Sequence, residues 1–539
     1  MAEKLTNEQQ AAVDSRERSL LVSAAAGSGK TKVLVERLFS YVEREGANLD
    51  DFLIITYTRA AASELRGKIA KALTERMERD PGNYHLRQQM LRVYRADIKT
   101  VDAFCTALLR ENCHLLGEDA RGHALRPDFR VLDENEAQVL RERVLARTLD
   151  DFYDCLTPGG TLLADTLGAG RDDSALEDLV LELHAKLQAQ PYEDKWLEAQ
   201  RAFWRAVPDK IEDTPYGKIL LNEVRRKARH CKNLLQRAAQ EMCANDALNQ
   251  KYAPAFLDAS YQLEALEGKT AEGWDAARGV TIAFPRLAAV KDSDGGEMKA
   301  RMKSLWDNCK ETVKGFAEIF SASSDEAVED LRTMASAMLA LIDLTADFSR
   351  RFNEEKRRRN SADFSDQEHE AIRLLIGEDG APTELARIVS ARYREIMVDE
   401  YQDTNEVQNR IFDAISCKGE NLFTVGDVKQ SIYRFRLADP RIFLQHYNTW
   451  PPLEDAEEHD SAKMLLSRNF RSRKEVLDAT NFIFCNILSG EMGELDYGAD
   501  EMRAARSSIC SICRRRRASS ACARARLRPR SSRTISAIC

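Results

Sequence analysis

Residues 19–31 read SLLVSAAAGSGKT, and this stretch decides the fold class. Its first five residues form a short apolar run of the kind that makes a buried strand, and residues 33–42 carry apolar side chains at helical intervals. Between them, Ala24-Ala25-Ala26-Gly27-Ser28-Gly29-Lys30-Thr31 reads as a phosphate-binding loop with alanine in its first position. Small residues let backbone N–H groups close around an anion at a helix N-terminus, where the peptide dipoles also favour negative charge. Lys30 is placed to neutralise the β- and γ-phosphates of a nucleoside triphosphate, and Thr31 to ligate its Mg2+. A chance Gly/Ala turn could share these letters, but the strand before and the helix after weigh against it.

Outward from this loop, residues 52–58, 98–101, 395–398 and 422–425 are further short β-rich runs, each followed by a turn or a helix-like stretch. Buried strands alternating with helices predict an α/β fold with a parallel sheet. Nearly 300 residues separate the runs at 98–101 and 395–398. No loop in a compact domain is that long, so an inserted domain is expected there. The insertion reads as helical. Residues 132–153 open with Asp133 and Glu136 in capping-box spacing, and residues 218–244 and 327–352 show similar periodicity. The basic run KRRR at 356–359 reads first as a solvated helix face and second as a contact to a nucleic-acid backbone.

The run at 395–398 ends in Asp399 and Glu400. At the C-terminal edge of a strand, Asp399 can hold Mg2+ and Glu400 can orient and deprotonate water. A strand-ending Asp-Glu is common by itself. Coupled to a phosphate loop and followed by YQDTN at 401–405, it becomes specific.

Bulk properties set bounds. The 539 residues call for three or four domains. No run approaches the roughly 18 apolar residues of a membrane span, and residues 1–10 hold no signal-peptide core, so no membrane association and a cytoplasmic location are expected. Net charge is −8, and residues 503–539 carry 11 Arg without Lys, Asp or Glu, leaving −19 on the first 502 residues. Any contact with DNA must then come from a local groove. The cysteines show no metal-ligand spacing; Cys510 and Cys513 form a lone C-x-x-C without the second pair that zinc needs. The arginine-rich tail has no apolar periodicity and is expected to be disordered, with a shifted reading frame favoured over a basic binding arm.

The motifs taken together resemble the UvrD/Rep class of superfamily 1 helicases. DEYQDTN at 399–405 is similar to that class's motif II, VGDVKQSIYRFR at 425–436 to motif III, and LSRNFRS at 466–472 to motif IV. LTNEQQ at 5–10 is similar to the adenine-recognising Q motif, TYTRAA at 56–61 to motif Ia, and TVDAF at 100–104 to the next DNA-contact motif. Within the class, LVSAAAGSGKT at 21–31, Asp102 in place of a usual His, the Val428-Lys429 pair, and ADFSD at 362–366 resemble the AddA branch.

The resemblance implies a RecA-like motor domain in two parts (1–125 and 356–448), a helical arm (126–355), the start of a second RecA-like domain (449–502), and the tail (503–539). It implies ATP and Mg2+ as cofactors, with Gln9 on the adenine, Lys32 near the base where relatives carry Arg, Gln430 sensing the γ-phosphate, and Arg471 reaching it from the second domain. Tyr57, Phe104, Tyr433 and Phe435 become candidates for stacking on single-stranded DNA, and Arg59 and Arg436 for its phosphates. The implied activity is 3′-to-5′ translocation on single-stranded and duplex DNA, in a heterodimer with an AddB-like partner, serving break repair and recombination. The class's later motifs and the AddA nuclease domain have no counterpart here, so this polypeptide is expected to bind ATP without translocating. A monomeric UvrD/PcrA-like repair helicase and an inert DNA-binding fragment remain alternatives; a P-loop kinase does not account for Gln430 and Arg471.

Overall fold

The computed structural model describes residues 5–118, 121–167, 174–416, 419–434, 437–488, 497 and 504–505. Six strands make one all-parallel sheet: β1 (Leu20–Ala24), β2 (Phe52–Thr56), β3 (Asp97–Thr100), β6 (Glu395–Val398), β7 (Leu422–Gly426) and β8 (Ala462–Leu466), in the order β3-β2-β6-β7-β1-β8. Two-residue strands β4 (Arg130–Val131) and β5 (Ser361–Ala362) pair separately, as do β9 (Arg468–Asn469) and β10 (Ala504–Ala505). Side chains of β1 and β2 alternate between two cores: Leu20, Val22, Phe52 and Ile54 enter one, and Leu21, Leu53 and Ile55 the other. That is the two-sided burial that makes parallel strands read as continuous apolar runs. Helices α1 (Asn7–Asp14), α2 (Lys30–Arg44) and α3 (Arg59–Arg79) cover the first face, with α4 (Tyr84–Arg92) beside α3. Helices α5 (Val101–Asn112) and Phe364–Leu375 cover the second.

Five strands stand within one or two residues of their expected positions, but β8 corrects the expected domain boundary. Its Leu20↔Ala462 and Ala24↔Leu466 pairing with β1 makes it the edge strand of the first sheet. The sheet-bearing unit therefore continues past the boundary expected at residue 449 to take in β8. The tail expected to be disordered supplies Ala504–Ala505 to β9, and its remaining residues, Cys510 and Cys513 among them, lie outside the described residues.

The chain divides into two compact units. One holds the sheet and takes in the chain up to Ala146, Glu182–Glu193, and the chain from Phe348 onward; the other comprises Arg147–Leu181 and Asp194–Asp347. The second unit is helical. Its longest wholly contained helix, Pro215–Met242, starts at a Thr214 N-cap with proline in its first turn, and it packs along Ala253–Lys269 over a core that includes Leu235, Phe256 and Trp306.

The first unit holds a second correction. Lys356 is neither on a solvated face nor exposed to a nucleic acid. It is 1% exposed, and its Nζ donates to Asp363 Oδ2 and Asp366 Oδ1, each at 2.7 Å. Arg357 is half-buried and pairs with Glu370, whereas Arg358 and Arg359 are exposed, as the solvated-face reading expects, and pair with Glu355.

Candidate active site

The loop after β1 leads directly into α2, so the N-terminal amides of a 15-residue helix face the C-terminal edge of the sheet. Gly29 is the N-cap with φ +89°, and Gly27 has φ +79°, a left-handed conformation that side chains with a Cβ rarely adopt. A Cβ on Gly27 would also stand 2.8 Å from Asn469 Nδ2. Lys30, Thr31 and Lys32 form the first turn of α2, all partly buried. Ala24 ends the strand, Ala25 is buried beside it, and Ala26 and Ser28 complete the loop.

Asp399 and Glu400 follow β6, two strands from β1. Lys30 Nζ lies 2.5 Å from Glu400 Oε2, joining residues 370 positions apart in sequence. Glu400 holds a left-handed backbone (φ +52°), which costs a non-glycine residue on the order of 1–2 kcal/mol and marks a site whose geometry is imposed by its surroundings. Asp399 is pushed up to about 6, by burial first and then by the adjacent Glu400 carboxylate; Asp403 is likewise pushed up to about 6 by burial and Glu400. Asp403 Oδ1 is buried without a hydrogen-bond partner. Three carboxyl groups thus crowd one end of the crevice.

Gln402, which the motif reading passed over, links this acid to the segment 427–430. Its Nε2 donates to Glu400 Oε2 (2.9 Å), and its Oε1 accepts from Asp427 N (2.9 Å). Asp427 is fully buried, held low by the Lys429 ammonium against its burial, and accepts from Gln430 Nε2 at 2.7 Å. A continuous path, Lys30–Glu400–Gln402–Asp427–Gln430, results. Beneath it, Arg37 binds Glu395 through Nε and Nη2 at 2.8 and 2.5 Å and Ala12 O through Nη1 at 2.6 Å. One buried side chain thereby anchors α1 and α2 to the strand that carries the acids.

Gln9 caps its own helix by accepting from Thr6 N (3.0 Å), while its Nε2 donates to Ser28 O (2.8 Å). One amide hydrogen and one lone pair are left for a ligand. The half-exposed ring of Phe470 lines the same crevice with Gln9, Ser28 and Arg468. Asn469 is 3% exposed; its Nδ2 donates to Ala26 O at 2.7 Å, and its Oδ1 accepts from Arg471 N at 2.8 Å. Arg471 is exposed beside the loop, its Cβ 3.0 Å from where a Cβ on Gly27 would be.

A separate cavity of about 670 Å3 is lined by Tyr57, Arg59, Asp102, Arg110, Phe364 and Gln367, among others. Tyr57 and Arg59 thus share one concave surface, and Phe364, absent from the sequence reading as a candidate, adds a second aromatic face, 41% exposed. The Tyr57 hydroxyl is 2.5 Å from Thr404 Oγ1, which ties this cavity to the segment following Glu400. Phe104 is corrected: at 4% exposure it packs in the second core with Val101, Cys105 and Leu108. Tyr433 is half-buried beyond Gln430, and Phe435 and Arg436 lie outside the described residues.

The parallel sheet, the glycine-containing loop after β1 and the acids after β6 accord with the family the sequence match shows: the chain belongs to the UvrD/Rep helicase family, residues 5–451 matching the UvrD/REP helicase N-terminal domain. More particularly, it is similar to the A-type ATP-dependent helicase/nuclease subunit of Acetivibrio thermocellus, 36% identical over 516 residues (92% of this chain, 40% of that protein). The protein of the same name from Ruminiclostridium cellulolyticum is 35% identical over 518 residues (92% and 40%), and that from Desulfitobacterium hafniense 37% over 534 (93% and 37%). The AddA resemblance of the motifs is therefore borne out across the chain, which spans about two-fifths of the length of these relatives. No helix among the described residues is long and apolar enough to cross a membrane.

Proposed function

We propose that the chain carries the ATP-binding half of a 3′-to-5′ DNA motor, working with an AddB-like partner in a helicase–nuclease that serves break repair and recombination. The observation that carries the proposal is the Lys30–Glu400 contact, which brings the ammonium of the phosphate loop and the carboxylate suited to activating water to one point. An incoming γ-phosphate would compete with Glu400 for Lys30 and release the carboxylate towards water. The amides of the α2 N-terminus would hold the phosphates, the spare groups of Gln9 would meet the adenine edge, and Phe470 and Lys32 would flank its ring. Arg471 would approach the γ-phosphate, and Gln430 would pass its presence through Asp427 and Gln402.

The residues also suit Mg2+. Crowding of Asp399, Glu400 and Asp403, and the buried unpartnered Asp403 Oδ1, favour a cation. Thr31 and Asp399 would supply the protein ligands, and the ion would neutralise charge on the phosphates. Tyr57, Phe364 and Arg59 would form part of the single-strand path, offering stacking faces that suit any base.

Titration of the purified chain with a fluorescent ATP analogue and Mg2+ tests this reading. Saturable binding is expected, weakened at least tenfold in Lys30→Ala; equal binding by the two proteins would overturn it.

A further inference from the structure

Lys30 and Thr31 draw attention in a phosphate loop, yet the loop holds an anion through its amides, and an amide points only where its peptide plane lets it. In each plane the carbonyl of one residue and the N–H of the next point in opposite directions. Three consecutive carbonyls of this loop are held from outside. Asn469 Nδ2 donates to Ala26 O at 2.7 Å, Phe470 N to Gly27 O at 2.8 Å, and Gln9 Nε2 to Ser28 O at 2.8 Å. The first bond turns the Gly27 N–H, and the third the Gly29 N–H, towards the opposite side. The middle plane is held at both ends, because Ser28 N donates to Ala25 O at 2.9 Å. Asn469 itself is braced: its Oδ1 accepts from Arg471 N and Ser472 N, each at 2.8 Å, so the side chain cannot swing away without releasing the backbone of Arg471.

We propose that Asn469 is a positioning residue that sets the phosphate loop for nucleotide and ties its shape to the placement of Arg471. The proposal deepens the ATP-binding reading and rests on it. Asn469 touches no phosphate; it acts through the Ala26 carbonyl on one side and the Arg471 amide on the other. The chemistry requires a side chain that donates and accepts at once, which an amide does and a carboxylate does not.

Asn469→Asp separates the two arms. Its carboxylate still accepts from Arg471 N and Ser472 N, but it faces the Ala26 carbonyl with a second acceptor. On protonation it regains a donor. Binding of the fluorescent ATP analogue with Mg2+ is compared between wild type, Asn469→Asp and Asn469→Ala from pH 8 to pH 5, as a ratio of affinities at each pH, so that titrations common to all three proteins cancel. The expected result is a deficit of about tenfold for Asn469→Asp at pH 8 that narrows several-fold by pH 5, with a deficit for Asn469→Ala that does not change with pH. A merely structural defect has no reason to reverse on acidification. A pH-independent ratio for Asn469→Asp, or wild-type affinity in Asn469→Ala, would overturn the proposal; the alanine variant decides the matter if the aspartate variant does not fold. Absence of Lys30-dependent binding in the wild type would instead bring down the ATP-binding reading, and this inference with it.

Discussion

Glu368 sits behind the cavity that Tyr57 and Phe364 line, 7% exposed, accepting from Gln408 Nε2 at 2.7 Å. Burial comes first in pushing its carboxyl up to about 7, with Asp102 adding to the push and the Gln408 hydrogen bond opposing it. The folded chain therefore holds a proton here that the unfolded chain releases near pH 4.5. Above pH 7 the buried charge costs stability; as pH falls from 7 towards 4.5 that cost is relieved, because the folded state binds the extra proton. Shifts of this size correspond to at most about 3.5 kcal/mol at about 1.4 kcal/mol per pH unit. Glu368→Gln keeps the shape and a hydrogen-bonding oxygen without the charge. It should raise the melting temperature by several degrees at pH 8 and leave it nearly unchanged at pH 5, as read by thermal melts at the two pH values.

The same balance governs elements. The end of helix Ser324–Arg358 meets helix Phe364–Leu375 through the ammonium of Lys356, which holds both carboxylates of the Asp363–Asp366 capping box. Removing one member of a buried charged set leaves the others uncompensated, which costs about 3–5 kcal/mol. Lys356→Met is thus expected to destabilise the sheet-bearing unit by that order in denaturant titrations. The deficit should shrink on acidification, when Asp363 and Asp366 take up protons. Residues 356–359 show why this was not legible: four successive cations look like a solvated face, and only the chain reversal before Asp363 brings Lys356 inside. The apolar strands, buried on both faces, announced themselves. β8 did not, because Lys463 interrupts its apolar run, as edge strands tolerate; its Nζ reaches Tyr447 O at the sheet margin. The letters of Asn469, Gln402 and Asp427 were visible, but their partners are tertiary: Asn469 meets a carbonyl 443 positions away. Phe104 was open to a better reading, since Val101, Phe104, Cys105 and Leu108 follow the i, i+3, i+4, i+7 spacing of a buried helix face.

At the scale of the molecule, the described residues of the proposed nucleotide site, from Gln9 to Arg471, all belong to one compact unit, while Arg147–Leu181 and Asp194–Asp347 form another with a core of its own. The two should therefore respond separately to damage. Gly217 tests this from the helical side: it lies in the first turn of helix Pro215–Met242, where an added Cβ would stand 1.9 Å from Ile211 O and 2.5 Å from its carbonyl carbon. Both are backbone atoms, so the turn 211–214 or the helix start must shift, and overpacking of this kind costs about 1–3 kcal/mol or more. Gly217→Ala is expected to lower the thermal transition of the helical unit and to speed its cleavage in limited proteolysis, while ATP-analogue affinity stays within about twofold of wild type. The reasoning is physical: no group that meets the nucleotide in the proposed site shares a core with Gly217, whose neighbours Ile211, Leu221 and Val224 all lie in the helical cluster. A parallel loss of nucleotide affinity would show that the helical unit sets the shape of the phosphate loop despite its separate core.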